Sequence, residues 1–197
     1  MQNTELKKPG SASRNHPGLE TKGNQAGHGH VGRRAHDEKV KVTGVKMAAY
    51  HYRECGLDNV TIDGVVPCQD DDGDEVITIP NITGLHREIA SAIVQHKAGI
   101  SGKELRFLRT EMGMTQAELA NVVHHDTQSI GRWERGEVPI DPSAEVLIRL
   151  LAVERLDLKA TADSLEELSR WCVSKAAPQP IKIDGNDPAN YRLLEAA

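Results

Sequence analysis

The sequence is poor in cysteine, in aromatic residues and in long hydrophobic runs. Its three cysteines, Cys55, Cys68 and Cys172, form no Cys-x-x-Cys pair, which argues against a disulfide framework or a structural zinc site. No apolar run approaches the roughly 18 residues that a membrane span needs, and no apolar segment typical of a secretory signal follows the first charges. We therefore expect a cytoplasmic protein without a metal, a cofactor or a membrane partner.

A net positive charge is also absent. The formal net charge is -5, which excludes a uniformly basic nucleic-acid coat. The basic residues concentrate in residues 1–46, which contain nine basic and four acidic side chains. This segment has too few apolar residues to offset its chain entropy, so we predict a disordered basic tail. Such a tail either attracts phosphate non-specifically or is only a solvated extension.

Two motifs that could indicate ligand binding lack the context they need. Gly27 to Gly32 matches Gly-x-Gly-x-x-Gly, but no strand precedes it and no helix follows it, as a dinucleotide site requires. The acidic stretch 70–75 could suggest a calcium-binding EF-hand loop. In that alignment Cys68 and Ile79 would occupy positions that require oxygen ligands, so the match fails. No nucleophile–base arrangement is apparent either, and we predict that the protein is not an enzyme.

Residues 47–100 predict a small antiparallel sheet with one helix. Short alternating runs near Tyr50, Val60 and residues 76–79 are typical of strands, and Asp-Gly pairs between them indicate turns. A helix is predicted from about 83 to 97, with Thr83 as its cap. It would lay Leu85, Ile89 and Ile93 on the sheet.

Residues 102–136 predict three short helices. The first covers about 102–112 and the third about 127–135. Local signals mark the ends of these helices. Gly113 ends the first helix, and a capping box of Thr115 and Glu118 begins the second. Asp126 begins the third helix and Gly136 ends it.

The third of these helices has two chemically different faces. Ile130 and Trp133 are spaced to point inward, so Gln128 and Arg132 lie one turn apart on the outward face. Amide and guanidinium groups are the donors and acceptors that read adenine and guanine in a major groove. Gly131 between them would allow a close approach to DNA.

This stretch resembles the helix-turn-helix of the Cro/Xre repressor family. The matching residues are Leu105, Leu108, Arg109, Gly113, Thr115, Gln116, Glu118, Leu119, Ala120, Ile130, Glu134 and Gly136. The resemblance implies an all-α, lambda-repressor-like domain. After the second helix the family usually has glycine and a small apolar residue, whereas this sequence has His124 and His125. Histidine tolerates a positive φ better than most residues, so the turn can still form. These two histidines are either plain turn residues or a metal or pH switch.

The resemblance also implies roles for individual side chains. Arg109 and Glu134 would form a structural salt bridge between the first and third helices. Base edges would be contacted by Thr127, Gln128 and Arg132. Phosphates would be contacted by Gln116 and Arg135, with Arg106 and Lys103 as further candidates that could instead be solvated helix charges.

A further helix should follow, with Asp141 as its cap and Pro142 in its first turn. Its apolar stripe would consist of Val146, Leu147, Leu150 and Leu151, and this region could offer a dimer face. After Pro178 the chain should be extended or frayed.

The predicted class is α+β, and the expected parts are a tail at 1–46, a sheet-plus-helix domain at 47–100, the helix-turn-helix domain at 101–157, and a helix with an extended tail at 158–197.

Two functions fit this arrangement. The first is a sequence-specific regulator of transcription, such as a repressor, that binds double-stranded DNA as a homodimer. The second is an antitoxin-like module that binds a partner protein through residues 47–100 and regulates its own synthesis. Such antitoxins resemble this chain in domain order but carry a cysteine-rich zinc module, which this sequence lacks.

Overall fold

The structure of the protein is a computed structural model that describes residues 49–69, 72–159, 162, 164–173 and 175–194. The expected tail at 1–46 lies outside these residues. In chain order the elements are β1 (Tyr50–His51), β2 (Val60–Asp63), β3 (Cys68–Gln69), β4 (Glu75–Val76), α1 (Ile82–Val94), α2 (Gly102–Glu111), α3 (Gln116–Val123), α4 (Thr127–Glu134), α5 (Pro142–Arg155), α6 (Leu165–Val173), β5 (Ile181–Asp184) and β6 (Arg192–Leu193).

The predicted α+β class is confirmed, but the sheet is mixed and not purely antiparallel. Its strand order is β1-β2-β5-β6. β2 pairs antiparallel with β1 and parallel with β5, with Val60 opposite Ile181 and Ile62 opposite Ile183. The residues after Pro178, expected to be extended or frayed, thus complete the sheet. β3 and β4 form a separate antiparallel pair.

α1 lies on this sheet as its apolar spacing predicts. Leu85, Ile89 and Ile93 are all buried in the common core. The predicted cap at Thr83 is wrong, because the Asn81 side chain accepts the hydrogen bond from the Gly84 amide. Asn81 has a φ of 54°, a left-handed conformation that asparagine adopts more readily than most residues.

The three helices of the predicted helix-turn-helix form with nearly the expected bounds. A capping box begins α3 at Thr115 and Glu118, as predicted, and a second one begins α2 at Ser101 and Glu104. Gly113 has a φ of 67° after α2. These local bonds satisfy amide groups that would otherwise lack partners at the helix ends.

α5 begins at Asp141 and Pro142 as predicted, but its buried face differs from the predicted stripe. Leu147 and Leu150 are exposed, whereas Ile148 and Arg149 on the neighbouring face are buried. The prediction placed the leucines in the core because leucine is strongly hydrophobic. Hydrophobicity alone does not indicate that the buried face of α5 contains an arginine.

Arg149 is fully buried and ties α5 to the segment that follows α1. Its guanidinium donates to the carbonyl oxygens of Val94 at 3.1 Å and His96 at 2.7 Å, and to that of Ala98. It also donates to the Glu145 carboxylate at 2.7 Å. A buried charge is tolerated only when it is paired and hydrogen-bonded in this way.

We expect Arg149→Met to lower the free energy of unfolding by about 3–5 kcal/mol, because it leaves the Glu145 carboxylate and several carbonyls buried without their partner. Chemical denaturation monitored by circular dichroism measures this loss. The control is Arg170→Met, which removes an exposed pair with Glu166 and should cost about 0.5 kcal/mol or less. Equal losses in the two variants would contradict this role of Arg149.

Candidate DNA-binding interface

The rotation of α4 about its axis decides which side chains are available to a ligand. Ile130 and Trp133 are buried, as predicted, in the core formed with α2 and α3. Thr127, Gln128 and Arg132 consequently lie exposed on the opposite side. α4 therefore presents an amide and a guanidinium one helical turn apart.

Both ends of the turn before α4 are held by local bonds. His124 ends α3 with a φ of 55°, so the histidine replaces glycine in the left-handed position as predicted. His125 packs edge-on against Trp133, with ring centroids 4.8 Å apart. The Asp126 side chain accepts from the Ser129 amide at 2.8 Å, and the hydrogen bonds from Ser129 lower the pKa of Asp126.

Glu134 anchors the last turn of α4 to the two helices before it. Arg109 of α2 donates to its carboxylate through Nε at 2.5 Å and through Nη2 at 3.2 Å. The Gln116 amide of α3 donates to the same group at 2.8 Å. Arg109 also donates to the Met114 carbonyl at 2.7 Å. One carboxylate thus joins the three helices.

The exposed face of α4 and the start of α3 form one shallow depression of about 350 Å³. Gly131 lies at its floor, where an added Cβ would be 3.1 Å from Arg135 Nη1 and 3.7 Å from Gln116 Oε1. The structure thus brings five of the seven residues expected to contact bases or phosphates to one surface, which is lined by Gln116, Thr127, Gln128, Gly131, Arg132, Arg135 and Glu137.

The other two residues expected to contact phosphate lie in a neighbouring groove. Lys103 and Arg106 line a groove of about 690 Å³ that Arg135 also borders. Lys103 pairs there with Asp58, which precedes β2. The lysine is thus already engaged by an acidic residue of the sheet region, whereas Arg106 is exposed.

Sequence reasoning missed an acidic residue on this face. Glu137 accepts from Arg135 Nε at 2.6 Å and Arg135 Nη2 at 3.2 Å. Its carboxylate also lies 3.7 Å from Arg132 Nε. The sequence signal for it is its position directly after Gly136, because the residue after a helix-ending glycine folds back toward the helix.

The described residues show no group of three or more His, Cys, Asp and Glu side chains placed to hold a metal ion. Nor does any helix in this part of the chain have both the length and the apolar character to cross a membrane.

α2 and α4 meet at a close backbone contact that depends on glycine. A Cβ at Gly102 would overlap the carbonyl oxygen of Trp133 and lie 2.8 Å from that of Glu134. Any larger residue must push the end of α4 away from the start of α2. At Gly131, by contrast, an added Cβ would meet only the flexible end of Arg135 and the Gln116 side chain.

We expect Gly102→Ala to lower the free energy of unfolding by about 1–3 kcal/mol, because two backbone segments must separate. Gly131→Ala is the matched control and should raise stability by up to about 1 kcal/mol, through its higher helix propensity. Thermal or denaturant unfolding compares the two variants. A stabilised Gly102→Ala would show that this contact does not limit the packing of α4.

The comparisons with known proteins agree with this geometry. Residues 105–153 match the family described as Helix-turn-helix, a range that runs from α2 into α5. No curated protein matches the chain. No solved structure matches it either. Residues 105–153 therefore form a helix-turn-helix domain of the Cro/Xre type, which supports a DNA-binding helix-turn-helix regulator.

Proposed function

We propose that the protein regulates transcription by binding a specific double-stranded DNA sequence, with α4 in the major groove. The observation that carries this proposal is the exposure of Gln128 and Arg132 on α4 while Ile130 and Trp133 are buried on its other face. The major groove of B-DNA is wide enough to admit a helix. In a helix-turn-helix it is the second helix of the motif that enters it.

Each exposed side chain has a chemical role in this proposal. Arg132 can donate two hydrogen bonds to guanine O6 and N7, and Gln128 can bond adenine N6 and N7. The Thr127 hydroxyl or methyl group can contact a neighbouring base edge. These contacts carry the sequence preference, because phosphate contacts alone carry none.

Phosphate contacts would fix the position of the protein on the duplex. Gln116 is in the first turn of α3, where backbone amides and the helix dipole favour an anion. Its bond to Glu134 holds the side chain beside α4. Arg135 lines the same depression, and Arg106 and Lys103 line the neighbouring groove. These three side chains would contact the flanking phosphates, and Lys103 must first leave Asp58.

We expect Arg132→Ala to weaken binding to the selected sequence by about 1–3 kcal/mol and to relax the preference at one base position. Sequences selected from a random duplex pool by the wild type and by the variant measure both effects. The comparison variant is Gln116→Ala, which should weaken binding to all sequences similarly because it removes a phosphate contact. If Arg132→Ala also weakens binding uniformly, Arg132 contacts phosphate and not a base.

We further propose that the protein binds DNA as a homodimer. A single α4 reads only a few base pairs, and two-fold symmetric half-sites multiply the specificity. Leu147 and Leu150 on α5 are 42% and 43% exposed, and burying them against a second copy would remove apolar surface from water.

We expect Leu147→Asp combined with Leu150→Asp to convert a dimer into a folded monomer, because charged side chains would be buried in the interface. Sedimentation equilibrium measures the molecular mass, and the DNA footprint should shrink to one half-site. Leu165→Asp, at an exposed position of α6, is the control. A wild-type protein that is monomeric with and without DNA would refute the dimer, and a stable complex with another protein would favour the antitoxin-like function instead.

A further inference from the structure

We infer that Glu137 acts as a charge clamp that holds Arg132 and Arg135 and lowers the affinity of the protein for DNA of any sequence. The inference rests on the proposed DNA-binding function and adds an autoinhibitory contact to the same surface. A duplex that approaches α4 must separate these arginines from a carboxylate before they can bind phosphate or a base edge.

The backbone at the end of α4 places Glu137 on this face. Gly136 has a φ of 69°, and its amide donates to the Trp133 carbonyl at 2.9 Å. The Glu137 amide donates to the Arg132 carbonyl at 3.0 Å. These two bonds define a Schellman motif, which brings the second residue after the helix cap next to the residue three positions before the cap. Arg132 and Glu137 occupy these two positions, so their proximity follows from how the helix ends.

The contact with Arg135 has the geometry of a strong ion pair. Two nitrogens of its guanidinium donate to two oxygens of Glu137, at 2.6 and 3.2 Å, and such two-point pairing is favourable for arginine. A third nitrogen, Nη1, lies above Gly131. The guanidinium is thus folded back over the surface that the duplex would cover.

The clamp is open to exchange with a nucleic-acid ligand. The Glu137 side chain is 48% exposed, whereas Glu134 is only 5% exposed and bonds Arg109 and Gln116. A phosphate can therefore compete with Glu137 for Arg132 and Arg135, whereas the pair between Arg109 and Glu134 is largely shielded from solvent. The hydrogen bond from Arg135 lowers the pKa of Glu137, so its carboxylate stays charged at neutral pH.

The test measures binding to a random-sequence duplex by fluorescence anisotropy at several salt concentrations. We expect Glu137→Gln to bind about three to ten times more tightly, the range expected for one exposed ionic contact of about 1 kcal/mol. The logarithm of the affinity should also fall more steeply with the logarithm of the salt concentration, by about 0.9 for each newly contacted phosphate.

The matched control is Glu166→Gln, which removes one equally charged and highly exposed carboxylate from α6 and should leave the affinity unchanged. Adding Arg132→Ala and Arg135→Ala should abolish the gain from Glu137→Gln. Unfolding curves of each variant establish that it is folded.

Each other outcome is decisive. Equal affinities of wild type, Glu137→Gln and Glu166→Gln would overturn the clamp while leaving the DNA-binding function intact. A gain that persists without the two arginines would also overturn it, because simple repulsion between Glu137 and phosphate would then suffice. If the wild type and every variant fail to bind any duplex at low salt, the proposed function itself is wrong and the inference falls with it.

Discussion

The orientation of α4 depends on the shielded carboxylate of Glu134. It accepts hydrogen bonds from Arg109 of α2 and from Gln116 of α3, so three helices share one charged group. A nearly buried carboxylate requires such partners, because a buried charge without them is costly. The partners lie on fixed helices, and α4 can satisfy its carboxylate only in one rotation. That rotation is the one that exposes Gln128 and Arg132.

Glu134 and Glu137 show how exposure to solvent changes the effect of the same functional group. Glu134 lies within the helix and faces its neighbours, and its ion pair with Arg109 fixes the structure. Glu137 lies past the helix-ending glycine and faces solvent, and its ion pairs with Arg132 and Arg135 are exchangeable. Water screens the exposed pairs and makes each worth little to stability. Under the proposed function these pairs matter for DNA binding, which would use the same two arginines.

The sequence predicted the features that depend on local bonds and missed those that depend on distant ones. The Thr115 capping box, the Asp126 cap and the inward pair Ile130 and Trp133 follow from spacing within one or two helical turns. The parallel pairing of β5 with β2 joins segments more than a hundred residues apart. No pattern within either segment indicates which strand it pairs with. The close approach at Gly102 likewise depends on the carbonyl groups of another helix. The exposed leucines of α5 were misplaced because burial of Arg149 depends on carbonyl groups near residues 94–98.

Those distant contacts form a continuous series from the sheet region to α4. Arg149 binds the carbonyls after α1 while its partner Glu145 accepts from the Ile100 amide at 3.1 Å. The next residues are the Ser101 cap of α2 and Gly102, which touches the last turn of α4. The start of α2 is therefore fixed from one side by buried hydrogen bonds and from the other by a backbone contact that a Cβ at Gly102 would force apart. Because α1 lies on the sheet that β5 completes, the residues after Pro178 support the position of α4 although they are far from it in sequence.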